Sequence, residues 1–200
     1  MEKVSWATPL YKFLRRCNAS SLERNVLDCG AGGDDPPLSL FYRHGYRTYG
    51  IEIAEGPLEK AHRFCRESNI SLNIIRGDMR SIPFFDETFS HVYSYNAIFF
   101  MTKPDIKIAM SEIERVLKGG GLCYVNFKSV EDPDNRPFCK TAPASDLLKS
   151  ERFAQHEDAE ADTYFQGFEL LHKEKRWVEK VHGSKTIKQV YIEYIAEKMG

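Results

Sequence analysis

Strand-like and helix-like segments alternate along the first two thirds of this chain of 200 residues. Short apolar runs, among them NVLDC, YGIEI and GLCYVNF, are separated by segments whose apolar residues recur at helical spacing. The alternation continues to about residue 128. Because adjacent parallel strands need a crossover between them, this pattern predicts a parallel sheet with helices on both faces.

Local signals place the first elements. Apolar spacing predicts a helix over about residues 4–17, followed by a strand that begins at Asn25. Asp34 or Asp35 is predicted to cap the next helix, because a carboxylate at that position can accept a backbone N–H of the first turn. The buried stripe of that helix is predicted to contain Leu38, Phe41 and Tyr42.

The later part of the chain predicts a longer excursion and a hairpin. The segment SHVYSYNAIFF, residues 90–100, is predicted to be the fourth strand. Residues 128–158 are rich in proline and charge and are predicted to be an excursion rather than a linker, so that residues 1–200 form one domain. Two long strand patterns, FELLHKEKRWVEKV and KTIKQVYIEYIAEK, flank a turn at HGS. Such a hairpin makes the last strand antiparallel to its neighbours.

Composition is ordinary for a globular protein. Hydrophobic residues make up 42% and charged residues 28%, and the formal net charge of -1 argues against a nucleic-acid partner, since no overall positive field would attract a polyanion. The five cysteines are odd in number and widely spaced, which indicates reduced thiols and a cytoplasmic location. The six histidines show no metal-ligand spacing, and neither a secretory signal nor a membrane span is expected.

A candidate ligand site follows from the residues at the carboxyl ends of the predicted strands, where open parallel sheets bind their ligands. A loop with Gly30 and Gly32 follows the first strand. Glu52 ends the next strand, 22 residues after Gly30, where a carboxylate can accept hydrogen bonds from ribose hydroxyls. Asp78 follows the third strand and can accept from an adenine amine, while the Met79 N–H can donate to a ring nitrogen. This series predicts an adenosine site.

Acidic residues near the glycine loop discriminate between adenosine cofactors. Asp28, Asp34 and Asp35 flank the loop, and no lysine or arginine lies within it. A pyrophosphate would be repelled, and an aspartate stands where a dinucleotide loop has its last small residue. A methionine tail carries an ammonium and a sulfonium, so the acidic loop favours this ligand, with Asp28 orienting the ammonium directly or through water.

Five segments resemble the motifs of class I S-adenosylmethionine-dependent methyltransferases, and the resemblance covers nearly the whole chain. VLDCGAGGD resembles the family's glycine-rich first motif, YGIEI the acidic second motif and RGDMRSIPF the third. FSHVYSYNAIFF resembles the fourth, and EIERVLKGGGLCYVNF resembles the helix, turn and fifth strand that follow. The resemblance implies an α/β, Rossmann-like three-layer sandwich. Its mostly parallel sheet has seven strands in the order 3-2-1-4-5-7-6, with strand 7 antiparallel.

The resemblance also implies a role for each motif residue, with S-adenosyl-L-methionine as cofactor and S-adenosyl-L-homocysteine as product. Gly30 and Gly32, with Ala31 between them, would pass under the methionine part. Glu52 would hold the ribose, with Ile53 beside it. Asp78 and Met79 would contact the adenine, and the carbonyl of Tyr95 would accept a hydrogen bond from the methionine ammonium. Asp34 departs from the family pattern, in which many members carry a third glycine.

The methyl acceptor is less constrained. No dedicated general base is evident, so the catalytic residues are left unassigned, and His156 and Asn126 are candidates by location only. Family members that act on nucleic-acid amines often carry an Asn/Asp-Pro-Pro-aromatic run after strand four, where this chain has SYNAIFF. A small-molecule acceptor is therefore predicted, with residues 128–158 over its pocket and Phe138, Phe153 and His156 lining it. Two alternatives stay open: a non-catalytic cofactor-binding regulatory or scaffolding subunit, and a nucleotide-binding oxidoreductase.

Overall fold

The computed structural model describes residues 8–133, 154–182 and 185–200. Within these ranges the helices are α1 (Thr8–Ala19), α2 (Leu38–Arg43), α3 (Glu55–Ser68) and α4 (Lys103–Val116), with short 3₁₀ helices at Ile98–Phe100 and Glu160–Tyr164. The strands are β1 (Asn25–Cys29), β2 (Arg47–Glu52), β3 (Ile74–Arg76), β4 (Phe89–Ser94), β5 (Leu117–Ser129), β6 (Gln155–His156), β7 (Phe168–His182) and β8 (Lys185–Lys198).

The strands form one sheet in the order β3-β2-β1-β4-β5-β8-β7. Strands β1 to β5 are mutually parallel, and β8 runs antiparallel to both β5 and β7. The two-residue strand β6 pairs with β5 beyond the end of β4. The predicted order is confirmed, because β7 and β8 occupy the places of the predicted strands 6 and 7 and β6 is an additional pairing.

Helices cover both faces of the sheet, as predicted. On one face, α1, α2 and α3 contribute to a buried cluster that contains Phe13 and Tyr93; we call this the α1 face. On the other, the α4 face, Ile106 and its neighbours on α4 pack against the sheet. Val26 and Leu27 of β1 belong to opposite clusters, because successive side chains alternate across a strand.

The start of α2 differs from the prediction. This helix has no side-chain cap, so neither Asp34 nor Asp35 serves as one. Asp34 instead forms ion pairs with Lys60 and Arg63 of α3, each at 2.9 Å. The two cations draw the carboxylate away from the first turn of α2. Tyr42, predicted in the buried stripe, is 39% exposed.

The fourth strand is shorter than predicted. Strand β4 ends at Ser94, and the chain turns at Asn96, whose φ of +55° is incompatible with an extended strand. The side chain of Asn126 holds this turn, because it accepts the Asn96 N–H at 2.8 Å and donates to Asn96 Oδ1 at 2.7 Å. The apolar residues that follow form the 3₁₀ helix Ile98–Phe100 instead of extending the strand.

Parts of two predicted segments fall outside the described residues. Helix α1 extends to Ala19, two residues beyond its predicted end, and residues 1–7 before it are outside. Residues 134–153 of the predicted excursion are outside as well, together with Phe138 and Phe153. No helix in the described ranges is long and apolar enough to cross a membrane.

Candidate active site

The glycine loop that follows β1 is held against the end of β2. The N–H groups of Gly30 and Ala31 both donate to the carbonyl of Ile51, at 2.9 and 3.0 Å. Gly30 has a φ of +108°, and a β-carbon there would lie 2.3 Å from the Cβ of Ala97, which follows β4. Glycine permits both the conformation and the approach. The segments after β1, β2 and β4 therefore meet at one edge of the sheet.

Glu52 closes the loop from the other side. Its Oε2 accepts the Gly32 N–H at 3.1 Å, and its Oε1 accepts the Ala54 N–H at 2.8 Å. A β-carbon on Gly32 would lie 2.5 Å from both Oε2 of Glu52 and Cβ of Pro57. Each carboxylate oxygen has a second lone pair, so Glu52 can accept two further hydrogen bonds from ligand hydroxyls. Ile53 follows it and is half-buried.

Asp78 follows β3 at the same edge and is oriented by an arginine. Arg80 Nη2 lies 2.7 Å from Oδ2 of Asp78, and Nε lies 3.1 Å from each carboxylate oxygen. Arg80 also pairs with Asp105 in the first turn of α4. Burial opposes ionisation, but hydrogen bonds from Arg80 lower the pKa of Asp78. Met79 is buried, and its Cε lies 3.9 Å from where a β-carbon on Gly30 would be.

Replacing Arg80 by glutamine is expected to weaken adenosine binding, because Asp78 would lose the guanidinium that orients it. Losing one ordering contact of this kind costs about 1 kcal/mol, which is roughly a fivefold lower affinity for S-adenosylhomocysteine by calorimetry. Arg47→Gln is the matched control, since Arg47 is an exposed arginine at the amino end of β2. Equal affinities for Arg80→Gln and the unmodified chain would contradict the positioning role.

Asp28 is buried beneath the glycine loop without a complete set of partners. It is 1% exposed, and its Oδ2 makes no hydrogen bond with the described residues. Burial raises the pKa of Asp28 to about 8; the Tyr93 hydroxyl opposes this shift, and the charge of Glu52 adds to it. An unsatisfied buried carboxyl is unfavourable unless a donor or cation reaches it. The ammonium of an amino-acid ligand at this edge would supply that partner.

The raised pKa of Asp28 makes stability depend on pH. The folded chain keeps the proton up to about pH 8, whereas the unfolded carboxyl loses it near its ordinary value of 3.8. The folded state therefore binds more protons between these values, and the free energy of unfolding falls as pH rises. Relative to Asp28→Asn, the unliganded chain should lose about 1.4 kcal/mol per pH unit between pH 5 and 7. Denaturant unfolding of both proteins measures this difference, and parallel pH profiles would refute it.

Tyr95 and Asn126 lie together on the α1 face, just past β4. The ring of Tyr95 lies 6.2 Å from that of Tyr124, which precedes Asn126 by two residues on β5. The side-chain amide of Asn126 is occupied by the backbone N–H and Oδ1 of Asn96, and an amide is not basic at neutral pH. Asn126 is therefore placed to hold the turn that presents Tyr95, not to remove a proton.

His156 lies on the opposite face. It pairs with Ser129 of β5, so its side chain falls on the α4 face, where its ring contacts Phe127 at 5.1 Å. Its Nε2 lies 3.1 Å from the Tyr164 hydroxyl, and burial lowers the pKa of His156 to about 4. His156 and Asn126, the two candidates by location, therefore face opposite sides of the sheet, and Phe138 and Phe153, predicted to line the acceptor pocket with His156, lie outside the described residues.

Arg80 and Asn96 contribute to the site but were not predicted from the sequence. The only signal for Arg80 is a cation two residues after Asp78 in a turn. Asparagine tolerates a left-handed φ better than most residues, but the sequence does not show that Asn126 pairs with it.

Comparisons with known proteins agree with this arrangement. A protein-family model described as a methyltransferase domain matches residues 27–125, which contain the loops after β1, β2, β3 and β4. The sterol 24-C-methyltransferase of Pneumocystis carinii (strain B80) is 29% identical over 161 residues, which cover 75% of this chain and 41% of that protein. The chain spans less than half the length of the curated relatives that it matches first.

Solved structures have the same fold. A putative methyltransferase from Bacillus halodurans aligns with a TM-score of 0.69 at 17% identity, covering 97% of this chain and 100% of that one. The 1,6-didemethyltoxoflavin-N1-methyltransferase of Burkholderia thailandensis aligns with a TM-score of 0.67 at 14% identity, covering 96% and 78%. That structure contains bound 1,6-didemethyltoxoflavin and S-adenosylhomocysteine.

Proposed function

The chain belongs to the class I S-adenosylmethionine-dependent methyltransferases, and from this premise we propose that it transfers the methyl group of S-adenosyl-L-methionine to a small-molecule acceptor. S-adenosyl-L-homocysteine is the second product. The observation that carries the proposal is the meeting of the glycine loop, Glu52 and Asp78 at one sheet edge, above the unsatisfied buried carboxyl of Asp28.

The residues at this edge fit the cofactor in shape and charge. Gly30 and Gly32 let the loop pack directly against Ala97 and Glu52, which brings the loop and the ends of the neighbouring strands together at this edge. Glu52 offers acceptor sites to ribose hydroxyls, and Asp78 offers them to the adenine amine. Asp28 matches the methionine ammonium. The absence of lysine and arginine from residues 28–35 favours a cationic tail over a pyrophosphate.

The chain's own contribution to the reaction is positioning. When bound, S-adenosylmethionine supplies a methyl group already activated on a sulfonium. The residues after β4 and β5 would align the acceptor and exclude water, and such alignment accounts for much of the rate enhancement in reactions of this type. Asn126 is held by Asn96 and His156 lies on the other face, so we propose an acceptor that needs no proton removed by either residue.

The acceptor class rests on charge and on the relatives. A formal net charge of -1 provides no overall attraction for nucleic acid. The curated relatives include sterol 24-C-methyltransferases and a sterol 4-C-methyltransferase, and one structural neighbour holds 1,6-didemethyltoxoflavin. These names belong to those proteins. For this chain they favour a small molecule with some apolar surface.

Thermal unfolding with S-adenosylmethionine, S-adenosylhomocysteine or NAD tests the cofactor assignment, with calorimetry on the same samples. A ligand at about a hundred times its Kd stabilises the folded state by ~2.7 kcal/mol, which raises the Tm by several degrees. We expect shifts with the first two ligands and none with NAD. A shift with NAD alone would indicate an oxidoreductase, and no shift with any ligand would overturn the proposal.

Transfer of a labelled methyl group distinguishes an enzyme from a non-catalytic subunit. The unmodified chain, S-adenosylmethionine carrying a labelled methyl group and a panel of small acceptors are incubated together, and labelled product is separated and counted. Labelled product that depends on both chain and acceptor supports the enzyme. Tight cofactor binding without transfer to any acceptor would favour a regulatory or scaffolding subunit.

We also propose that residues 1–200 act as one domain in the cytoplasm. Strands from both ends of the chain, β1 and β8, belong to the same sheet. The cysteines in the described ranges, namely Cys17, Cys29, Cys65 and Cys123, are free thiols, as expected in a reducing compartment.

A further inference from the structure

Three strands continue past the end of β4 and rise above the proposed cofactor edge. Strand β4 ends at Ser94, which pairs with Val125 of β5. Strand β5 continues to Ser129, and β8 and β7 run beside it. Side chains on the α1 face of these strands form a surface that we call the wall. Its members are Tyr124, Lys128, Arg176, Tyr191 and Glu193.

An ion pair lies in the middle of the wall. Nε and Nη2 of Arg176 lie 2.7 and 2.5 Å from Oε1 of Glu193. The Glu193 side chain is 2% exposed, whereas that of Arg176 is 23% exposed. Burial raises the pKa of Glu193, and the guanidinium of Arg176 opposes this shift. The acid is thus hidden beneath, and the cation is the member of the pair that a ligand can reach.

Aromatic rings connect this cation to the proposed cofactor edge. The Cζ of Arg176 lies 5.9 Å from the ring centre of Tyr191, and that ring lies 5.9 Å from the ring of Phe99. Glu193, which holds Arg176, is the register partner of Asn126, and the side chain of Asn126 bonds Asn96, the residue after Tyr95. Tyr95 is also two residues before Ala97, which contacts the glycine loop. Arg176 therefore borders the space next to the proposed cofactor site.

We propose that Arg176 binds a carboxylate of the methyl acceptor, with Glu193 as the positioning residue that holds the guanidinium in place. This inference rests on the proposed function and names the acceptor class more closely: a small molecule that combines a carboxylate with an apolar or aromatic part. A guanidinium has five N–H donors in a planar fork that matches a carboxylate, and Glu193 engages only part of them. The half-buried ring of Tyr95 would contact the apolar part.

A purely structural role explains the ion pair less well. A buried ion pair is often no more stabilising than apolar side chains of similar volume, since both charges lose their hydration. Apolar residues would suit a wall already lined by Tyr124 and Tyr191. A buried acid paired with a partly exposed cation instead fixes the direction in which the cation points.

The test compares carboxylates with their neutral amides on the chain saturated with S-adenosylhomocysteine. The probe pairs are benzoate with benzamide and indole-3-acetate with indole-3-acetamide, titrated by ligand-observed NMR. A charge-assisted hydrogen bond favours the carboxylate by about tenfold or more in affinity. We expect this preference in the unmodified chain for at least one pair.

Three variants test whether Arg176 and Glu193 cause the preference for carboxylates over amides. Arg176→Gln should abolish it, and Glu193→Gln should reduce it, since the guanidinium remains but is no longer anchored. Because Arg176→Gln leaves a buried carboxylate unpaired, the double variant Arg176→Met with Glu193→Leu removes both charges together and should fold. Arg24→Gln is the control, because Arg24 is exposed just before β1, at the opposite edge of the sheet.

The outcomes separate this inference from the proposed function. Binding of S-adenosylhomocysteine to the unmodified chain is measured first by calorimetry. If the unmodified chain does not bind it, both the proposed function and this inference are refuted. If the cofactor product binds but neither carboxylate is preferred over its amide, the carboxylate site is refuted while the methyltransferase stands. A preference that persists in Arg176→Gln and in the double variant also refutes it.

Discussion

Replacing Gly32 by alanine is expected to lower the affinity for S-adenosylhomocysteine by about tenfold or more. A β-carbon at this position would lie 2.5 Å from Oε2 of Glu52 and from Cβ of Pro57. Accommodating it must displace the carboxylate that accepts the Gly32 N–H or the first turn of α3. Overpacking of this kind costs on the order of 1–3 kcal/mol, and relief of the clash by moving Glu52 would take its carboxylate from the position in which it is proposed to hold the ribose.

Isothermal calorimetry measures this affinity, and thermal unfolding of the unliganded variant shows whether the fold is retained. Gly56→Ala is the matched control, because a β-carbon on Gly56 would meet nothing within 4 Å and Gly56 lies four residues after Glu52. The control should bind like the unmodified chain. If Gly32→Ala binds equally well, the placement of the Glu52 carboxylate against the loop does not contribute to binding.

Replacing Glu52 by alanine should weaken binding of S-adenosylhomocysteine by on the order of 1–3 kcal/mol, or about 5- to 150-fold. The physical reason is the loss of a charged acceptor for two ribose hydroxyls. The variant also loses two internal hydrogen bonds, from the N–H groups of Gly32 and Ala54. Part of the effect therefore comes from loosening of the loop.

Two further measurements separate these contributions. The affinities of S-adenosylhomocysteine and its 2′-deoxy analogue are measured for the unmodified chain and for Glu52→Ala. If Glu52 accepts a hydrogen bond from the ribose, the unmodified chain prefers S-adenosylhomocysteine more strongly than the variant does. If Glu52 only supports the loop, the preference is the same in both proteins. Glu59→Ala, an exposed acid on α3, is the control for loss of negative charge near the site. Undiminished affinity in Glu52→Ala, or the same discrimination by both proteins, would show that Glu52 does not hold the ribose.

Much of the fold could be predicted because it depends on local chemistry. Apolar spacing sets which residues of a helix are buried, and Ile106, Met110 and Ile113 of α4 are buried as their spacing indicates. Alternation of strands and helices restricts the sheet to parallel order, and a turn between two long strands makes the last one antiparallel. The strand order itself followed from the family resemblance rather than from spacing.

The errors occur where a distant partner outweighs a local preference. Asp34 has the chemistry of a cap but pairs with Lys60 and Arg63 of α3. The apolar run after Ser94 has the composition of a strand, but the turn held by Asn126 ends it. In each case the competing contact comes from a residue at least 26 positions away, which no local window includes.

The candidate site, like the fold, could be predicted from the sequence only in part. The sequence by itself determined the residue types at the strand ends, the acidic character of the glycine loop and hence the class of ligand, because these depend on order along the chain and on charge. The tertiary structure alone decided that Arg80 binds Asp78, that His156 and Asn126 face opposite sides of the sheet, and that Arg176 pairs with Glu193, the register partner of Asn126. Those relations depend on strand register and on which face a side chain occupies, and pairing across the sheet sets both.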